Sequence, residues 1–172
     1  KSWQEAQEIT TDMFLWATNY LEDNGWEHYE VSNFAKPSYQ GRMNQMVWNG
    51  SGYLGVGVGA HSYDGKSRWG NLRSLHRYVE LLKKNCWPTS FSETLTLNQK
   101  ANEFLMLQLR QTKGLSLKKW EENFAPKNWL GTHFDLLRVW QKEGLLNWMD
   151  NRIVLTKKGL LVADALTAEL SI

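Results

Sequence analysis

A run of glycines at every second position constrains the fold of this chain more than any other feature. Within residues 50–71 the glycines stand at positions 55, 57 and 59, where they alternate with Leu54, Val56 and Val58. An alternation of period two predicts a β-strand. Because glycine weakens a strand interior, three glycines on one face require a bulge, tight packing of two backbones or close approach of a ligand. We expect an aliphatic face against a helix layer and a second face almost without side chains.

The predicted glycine strand ends at Ala60 and His61. A strand face without side chains that ends in a histidine suits a large planar or adenine-bearing ligand. The alternative explanation for the glycines is that a neighbouring element packs closely against the strand. A dinucleotide-binding fingerprint would place GxGxxG at the turn from a strand into a helix. Here the spacing is GxGxG inside the strand, so the pattern argues against a Rossmann fold.

Composition sets the size and the class of the protein. The 172 residues, of which 42% are hydrophobic, suffice for one large or two small domains. Cys86 is the only cysteine, which excludes an internal disulfide and a cysteine-ligated zinc or iron–sulfur site within this chain. No apolar run approaches ~20 residues and no signal sequence is visible, so we expect a cytoplasmic protein. The chain starts at Lys1 directly in a helical pattern, and we expect it to be a piece of a longer protein.

The first half of the chain alternates predicted helices with predicted strands. Apolar residues recur at helical spacing over 3–24, a strand follows over 27–34, a loop covers 38–49, and after the glycine strand a second amphipathic helix covers 72–82, capped by Asn71 or Ser74. Polar residues such as Asn33 on a buried strand suggest that its second face lines a site. Two strands alone cannot form a stable sheet, so the pattern predicts the last units of a larger α/β layer or barrel.

The second half has a different pattern. A linker over 85–95 is followed by a helix that begins at Thr96, with Gln99 completing a capping box. Further helices are predicted over 116–124 and 130–143, then a hairpin turning at Asp150 and Asn151, and a last helix over 157–170 capped by Thr156. Three helices, a hairpin and a closing helix are typical of a winged helix. The chain is therefore predicted to be α/β followed by α+β.

A winged helix raises the question of DNA binding. On the predicted recognition helix, Arg138 and Lys142 stand beside Asp135 and Glu143, which cancel their charge. The net charge of the chain is only +2. DNA binding depends on a basic face that neutralises phosphates, and that face is missing. We expect no nucleic-acid partner, and a winged-helix nucleic-acid-binding module is the last of our alternatives.

Several segments of the chain resemble one protein family. Residues 26–37 resemble the segment GY-x-x-YEISNFA-x-P of the oxygen-independent coproporphyrinogen III oxidase-like proteins, in particular the HemW-type radical SAM haem chaperones. Residues 53–63 are similar to that family's YLGFGPGAHSY, and residues 68–71 fit its RW-x-N. Residues 95–110, with short motifs at 114–115, 144–146 and 155–159, are similar to its C-terminal domain. The resemblance covers nearly the whole chain.

The resemblance implies the C-terminal part of a radical SAM (TIM-like) barrel over 1–85, a linker over 86–95 and a winged-helix-like C-terminal domain over 96–172. It also implies a 4Fe-4S cluster that cleaves S-adenosylmethionine, held by a CxxxCxxC motif upstream of this chain, so that the fragment alone holds no cofactor and is inactive. The positions that the resemblance and the glycine pattern together mark for cofactor binding are Asn33, Asn44, Trp48, Gly57, Gly59, Ala60 and His61.

One motif departs from the family. HemW-type proteins carry HNxxYW between the two strands, a signature associated with haem, and here Met43 replaces the histidine and Val47 the tyrosine. Methionine ligates haem iron in some proteins, although a loop methionine usually serves packing. Among the histidines, which stand at 28, 61, 76 and 133, His61 is the best placed iron ligand.

Two functions follow from the resemblance. The first is haem handling by a HemW-like chaperone, with haem or porphyrin and haem-accepting proteins as partners. The second is porphyrinogen propionate decarboxylation by an oxygen-independent coproporphyrinogen III oxidase, with Arg42 or Arg68 pairing with propionates. The open strand edges of a truncated barrel also predict self-association.

Overall fold

A computed structural model describes residues 3–124 and 127–172. The described residues before Met43 and after Lys100 form one compact unit, and residues 43–100 form a second. The first unit therefore joins the start of the chain to its C-terminal part. The division predicted from the sequence, with a linker over 86–95, differs from these units and stays a prediction.

The described helices and strands follow one another along the chain as α1 (Trp3–Asp23), β1 (Glu27–Glu30), β2 (Asn33–Ala35), α2 (Arg42–Trp48), β3 (His61–Tyr63), β4 (Ser67–Asn71), α3 (Leu75–Lys83), β5 (Thr89–Thr94), α4 (Leu97–Leu109), β6 (Leu115–Ser116), α5 (Leu117–Phe124), α6 (Trp129–Lys142), β7 (Leu146–Met149), β8 (Arg152–Leu155), α7 (Lys157–Leu160) and α8 (Ala163–Glu169). No helix among the described residues is both long enough and apolar enough to cross a membrane.

The core of the first unit is built by α4 to α8 and a small antiparallel sheet of order β6-β8-β7. Leu105, Trp120, Leu137 and Ile153 are almost completely buried in it. Burying a side chain of this size stabilises a fold by roughly 1.5–3 kcal/mol. The helical periodicity of the sequence marks this core because each amphipathic helix turns its apolar face towards it.

Helix caps at the start of α4 and at the start of α7 confirm two predictions. The backbone N–H of Thr96 donates to Gln99 Oε1 at 2.8 Å, and the backbone N–H of Gln99 donates to Thr96 Oγ1 at 3.2 Å. The Thr156 hydroxyl accepts from the Gly159 N–H at 3.1 Å. The single last helix predicted over 157–170 is wrong, because the chain leaves helical geometry at Val162, where φ is −121°. Apolar spacing continues across this break, so periodicity could not reveal it.

The strand predicted over 27–34 is in fact a hairpin, since β1 and β2 pair antiparallel. Its turn is local, because the Ser32 N–H donates to Glu30 Oε1 at 3.3 Å and the Asn33 amide donates to the same oxygen. Within the same unit, the Val31 N–H donates to the Arg110 carbonyl at 3.0 Å. The Thr112 hydroxyl donates to the His28 carbonyl at 2.9 Å. These bonds attach the hairpin to the segment that follows α4.

The second unit contains an antiparallel sheet of order β3-β4-β5 and the helix α3. Two segments for which the sequence predicts no helix or strand contain one here. The loop predicted over 38–49 contains α2, which at seven residues is too short to show a helical period. The linker predicted over 85–95 contains β5, whose Phe91 ring occupies the space that a side chain at Gly70 would fill. The helix predicted over 72–82 is confirmed as α3, with Ser74 as its N-cap.

The glycine strand is the largest correction to the sequence prediction. Between the isolated bridge at Tyr53 and the start of β3 at His61 the chain forms no strand. The backbone φ is +105° at Gly57 and +68° at Gly59. Both values lie outside the β region of backbone conformation. The alternation of glycine with aliphatic residues therefore marks an irregular segment here and not a hydrogen-bonded β-strand.

Candidate functional site

We call residues 54–60 the glycine segment, and its exposure alternates as its sequence does. Leu54 and Val56 are 61% and 82% exposed, and Val58 is also exposed, whereas the three glycines are half-buried. The faces are therefore reversed relative to the sequence prediction. The aliphatic side chains lie on the surface of this unit, and the three glycines are less exposed than the residues between them.

Three side chains hold the backbone of the glycine segment, and we call Ser62, Asn71 and Tyr78 the clamp. The Gly55 N–H donates to Ser62 Oγ at 2.9 Å, and the Gly57 N–H donates to Tyr78 Oη at 3.1 Å. The Asn71 amide nitrogen donates to the Gly55 and Gly57 carbonyls at 3.3 and 2.9 Å. The clamp thus satisfies both the donors and the acceptors of two alternate residues.

Each member of the clamp comes from a different element of the second unit. Ser62 is the middle residue of β3, Asn71 is the last residue of β4, and Tyr78 lies in the first turns of α3. Ser62 is 0% exposed and Asn71 is 8% exposed. Two main-chain bonds extend the arrangement, from the Gly59 N–H to the Leu72 carbonyl at 3.0 Å and from the Asn71 N–H to the Ala60 carbonyl at 2.8 Å.

The glycines of the segment are required for two different reasons. A Cβ at Gly55 would stand 2.0 Å from the carbonyl oxygen of His61, so this glycine permits close packing of two backbones. Gly57 and Gly59 have positive φ instead, and a Cβ at Gly57 would meet no atom within 4 Å. The backbone at Gly57 is therefore bare and faces open space, which fits a ligand that lies against the main chain.

His61 and its neighbours on the sheet form an exposed face beside the glycine segment. His61 pairs with Gly70 and is exposed, and its ring centroid lies 5.5 Å from that of Phe91. The rings of two other histidines have closer partners, because His28 stacks on Phe34 at 4.4 Å and His133 Nδ1 lies 2.8 Å from the Trp129 carbonyl oxygen.

The remaining candidate positions lie apart from the glycine segment along the chain. Asn44 and Trp48 are half-buried residues of α2 in the second unit. Asn33 belongs to the first unit and donates to Glu30. Gly57, Gly59, Ala60 and His61 lie together because they are near neighbours in the sequence. A cofactor-binding role for any of these positions stays a prediction.

The sheet also shows what the charged residues near the site contact. Arg68 Nε lies 2.6 Å from Glu93 Oε1, so the guanidinium already has a carboxylate partner. At the turn between β3 and β4, Asp64 Oδ1 accepts from the Ser67 and Lys66 N–H groups at 2.6 and 2.8 Å. Hydrogen bonds from the backbone of Ser67, and then of Lys66, lower the pKa of the Asp64 carboxyl. Cys86 is exposed.

A cavity of about 120 Å³ adjoins the glycine segment within the same unit. Its lining combines aliphatic residues of the segment with aromatic side chains and one clamp amide, namely Leu54, Val56, Trp69, Asn71, Tyr78 and Trp87. The sequence analysis predicted Asn71 as a helix cap and as the end of the RW-x-N motif, and it predicted no site role for Ser62 or Tyr78. The one available signal was the position of Asn71 at the end of the RW-x-N motif.

Comparisons with known proteins bear on both halves of the chain. Residues 95–162 match the HemN C-terminal domain family. The chain is 28% identical over 158 residues to the heme chaperone HemW of Bacillus subtilis. The matched region covers 92% of this chain and 41% of that protein. It is 33% identical over 151 residues to the heme chaperone HemW of Mycobacterium tuberculosis strain H37Rv, covering 87% of this chain and 36% of that protein.

A mitochondrial relative and a solved structure agree with this. Over 71% of its length the chain is 31% identical to the radical S-adenosyl methionine domain-containing protein 1 of Danio rerio, covering 29% of that protein. The radical SAM enzyme coproporphyrinogen III oxidase (HemN) of Escherichia coli matches 99% of this chain and 42% of its own, with a TM-score of 0.72 and 18% identity. The chain thus spans between 29% and 42% of the length of these proteins. The resemblance to HemW-type and coproporphyrinogen III oxidase-like proteins is confirmed.

Proposed function

From this similarity to HemW, we propose that the chain is the C-terminal part of a HemW-like radical SAM protein that handles haem. The observation that carries the proposal is the similarity to heme chaperones over almost the whole chain, at up to 33% identity. In this proposal the partners are haem or porphyrin and the proteins that accept haem, and the protein works in the cytoplasm.

The fold of the longer protein follows the same proposal. The first part of the chain supplies the last units of a partial radical SAM barrel, and the C-terminal part is a winged-helix-like domain. The order of α4, α5, α6, the β7-β8 hairpin and the closing helices supports the second statement. Fold alone does not give function, so the winged-helix arrangement is not an argument for nucleic acid.

The residues of this chain have a limited part in the chemistry. An upstream 4Fe-4S cluster, when bound, supplies the electron that cleaves S-adenosylmethionine. With a single cysteine, this chain holds no such cluster. In this proposal Gly57 and Gly59 would present bare backbone to S-adenosylmethionine, and Ala60 and His61 would continue that surface. The open space beside Gly57 supports this role.

Coproporphyrinogen III oxidase activity is the second candidate, favoured by the fold similarity to the solved HemN enzyme. That activity needs cationic side chains for the substrate carboxylates. Arg68 is paired with Glu93 at 2.6 Å, whereas Arg42 is exposed. A substrate propionate would therefore compete with Glu93 for Arg68, which makes this the weaker proposal.

The two proposals separate in one experiment on the full-length protein. The protein is reconstituted anaerobically with iron and sulfide, titrated with haem by absorption, and assayed for decarboxylation of coproporphyrinogen III. We expect saturable haem binding without decarboxylation. Decarboxylation without haem binding would overturn the chaperone proposal in favour of the oxidase. The 172-residue chain alone serves as the control and gives no cluster absorption.

A further inference from the structure

We propose that the clamp residues Asn71, Ser62 and Tyr78 are positioning residues, which hold the glycine segment in the conformation that receives the adenosyl cofactor. This inference rests on the proposed function, because it assigns a ligand to the glycine segment. The clamp residues themselves need not touch that ligand. They act through the backbone of Gly55 and Gly57.

The hydrogen bonds of the clamp all converge on a short stretch of main chain. Asn71 uses its amide nitrogen for two carbonyls that are two residues apart, at 3.3 and 2.9 Å. Ser62 and Tyr78 accept from the N–H groups of the same two residues. Because the three side chains come from β3, β4 and α3, a shift of the segment would break bonds to three elements at once.

Glycine is the reason why this segment needs to be held. Gly57 and Gly59 adopt positive φ, and glycine populates both signs of φ about equally when it is free. A loop of alternate glycines therefore loses more conformational freedom on ordering than other sequences do. A binding surface that is ordered before the ligand arrives avoids this loss at the moment of binding. The clamp supplies that order.

The burial of the clamp argues against a merely superficial role. Ser62 is 0% exposed, and the Asn71 side chain stands where β4 ends and lines the adjoining cavity. A buried amide at this place requires partners, because an unsatisfied polar group in the interior is destabilising. Its partners are carbonyls of the glycine segment, and bare backbone at Gly57 faces open space. Gly57 is thus both held by the clamp and open to a ligand on its other side.

The test compares isosteric variants of the full-length, reconstituted protein. Asn71→Asp keeps the shape but replaces the amide donor by a carboxylate oxygen that faces two carbonyls. Tyr78→Phe removes one hydroxyl acceptor and serves if Asn71→Asp does not fold. The matched controls are Asn102→Asp, whose side chain exchanges hydrogen bonds with the backbone of Ile172 and not with the glycine segment, and Tyr39→Phe, which is exposed.

Two readouts are measured for each variant. The first is amide hydrogen exchange of Gly55 and Gly57 without ligand, which we expect to accelerate roughly tenfold in Asn71→Asp, as loss of hydrogen bonds of ordinary strength predicts. The second is the dissociation constant for S-adenosylmethionine, which we expect to rise by about the same factor, with a smaller rise in Tyr78→Phe. The controls should change neither quantity.

The outcomes distinguish this inference from the proposed function. If the wild-type protein fails to bind S-adenosylmethionine, the proposed function is wrong, whatever the exchange rates are. If exchange at Gly55 and Gly57 is unchanged in both clamp variants, the clamp does not order the segment and the inference is wrong. Faster exchange with an unchanged dissociation constant also overturns it, because the order of the segment would then not matter for the ligand.

Discussion

Gly55 and Gly57 are two residues apart, and their surroundings predict different costs for an added methyl group. A Cβ at Gly55 would stand 2.0 Å from a backbone oxygen, which cannot move away as a flexible side chain can. At Gly57 there is no atom within 4 Å, and the cost comes only from the φ of +105°. One substitution therefore tests packing and the other tests backbone conformation.

We predict that Gly55→Ala destabilises the protein by ~1–3 kcal/mol through overpacking. For Gly57→Ala we predict about 1–2 kcal/mol from the left-handed backbone conformation. Urea unfolding of both variants measures these free energies. In the full-length protein, Gly57→Ala should in addition weaken S-adenosylmethionine binding, because the methyl group points into the open space. Unchanged affinity in the folded fraction of Gly57→Ala would contradict a cofactor at this backbone.

Asp64 gives a prediction for pH dependence. Backbone hydrogen bonds from Ser67 and Lys66 lower the pKa of its carboxyl below the unfolded value of about 3.9. Because the folded-state pKa is the lower one, the carboxylate stabilises the fold above the unfolded pKa. This contribution is lost as the pH falls through the folded pKa.

Carbon-13 NMR titration of the Asp64 carboxyl should therefore show a pKa below its ordinary value. The variant Asp64→Asn keeps an oxygen acceptor but no charge. The melting temperature of the wild type should exceed that of Asp64→Asn near neutral pH, and the difference should shrink below pH ~4. A difference that stays constant down to pH ~2 would contradict the assignment.

At the scale of elements, the start of α4 tests a feature that the sequence alone predicted. Thr96 and Gln99 exchange hydrogen bonds at 2.8 and 3.2 Å in a capping box. We predict that Thr96→Ala destabilises the protein by about 1 kcal/mol, since N-cap side chains contribute this much. For a chain of this length the melting temperature should fall by roughly 2–4 °C.

Thr132→Ala is the control for this substitution. Thr132 is an exposed residue inside α6, where its hydroxyl donates to the Asn128 carbonyl at 3.1 Å. Alanine has the higher helix propensity, so the control should leave stability unchanged or raise it slightly. Equal losses in both variants would show that the capping box does not stabilise α4.

For the whole molecule we predict self-association through the edge of the β3-β4-β5 sheet. Strand β5 pairs with β4 on one side, and most of its residues are exposed. An edge strand of this kind is a template for pairing with a second chain. Sedimentation velocity over a range of concentrations should show a monomer–dimer equilibrium.

The variant Ser92→Lys places a charge on this edge and should shift the equilibrium towards monomer. Asn98→Lys adds the same charge on an exposed position of α4 and should leave the equilibrium unchanged. A wild-type chain that stays monomeric at all concentrations would contradict the prediction. Equal effects of both variants would point to net charge instead of the strand edge.

The sequence by itself determined the features that depend on neighbours a few residues apart. The capping box at Thr96, the cap at Thr156 and the hairpin turn at Asp150 were all predicted, and their bonds or pairings are local. The amphipathic helices of the C-terminal part were predicted for the same reason, since a period of 3.6 residues is visible in any short window. The motifs at 53–63 and 68–71 gave the family.

Only the tertiary structure decided the conformation of the glycine segment. Its alternation predicted a strand, but its partners are side chains distant in sequence, because Asn71 and Tyr78 lie 14 and 21 residues from Gly57. Gly70 and Phe91 are equally far apart, and their contact brings the expected linker into the sheet as β5. Period-two spacing reports which residues alternate in exposure, and this alternation is observed. Whether the backbone groups of the glycine segment bond to a neighbouring strand or to side chains depends on elements that only folding brings together.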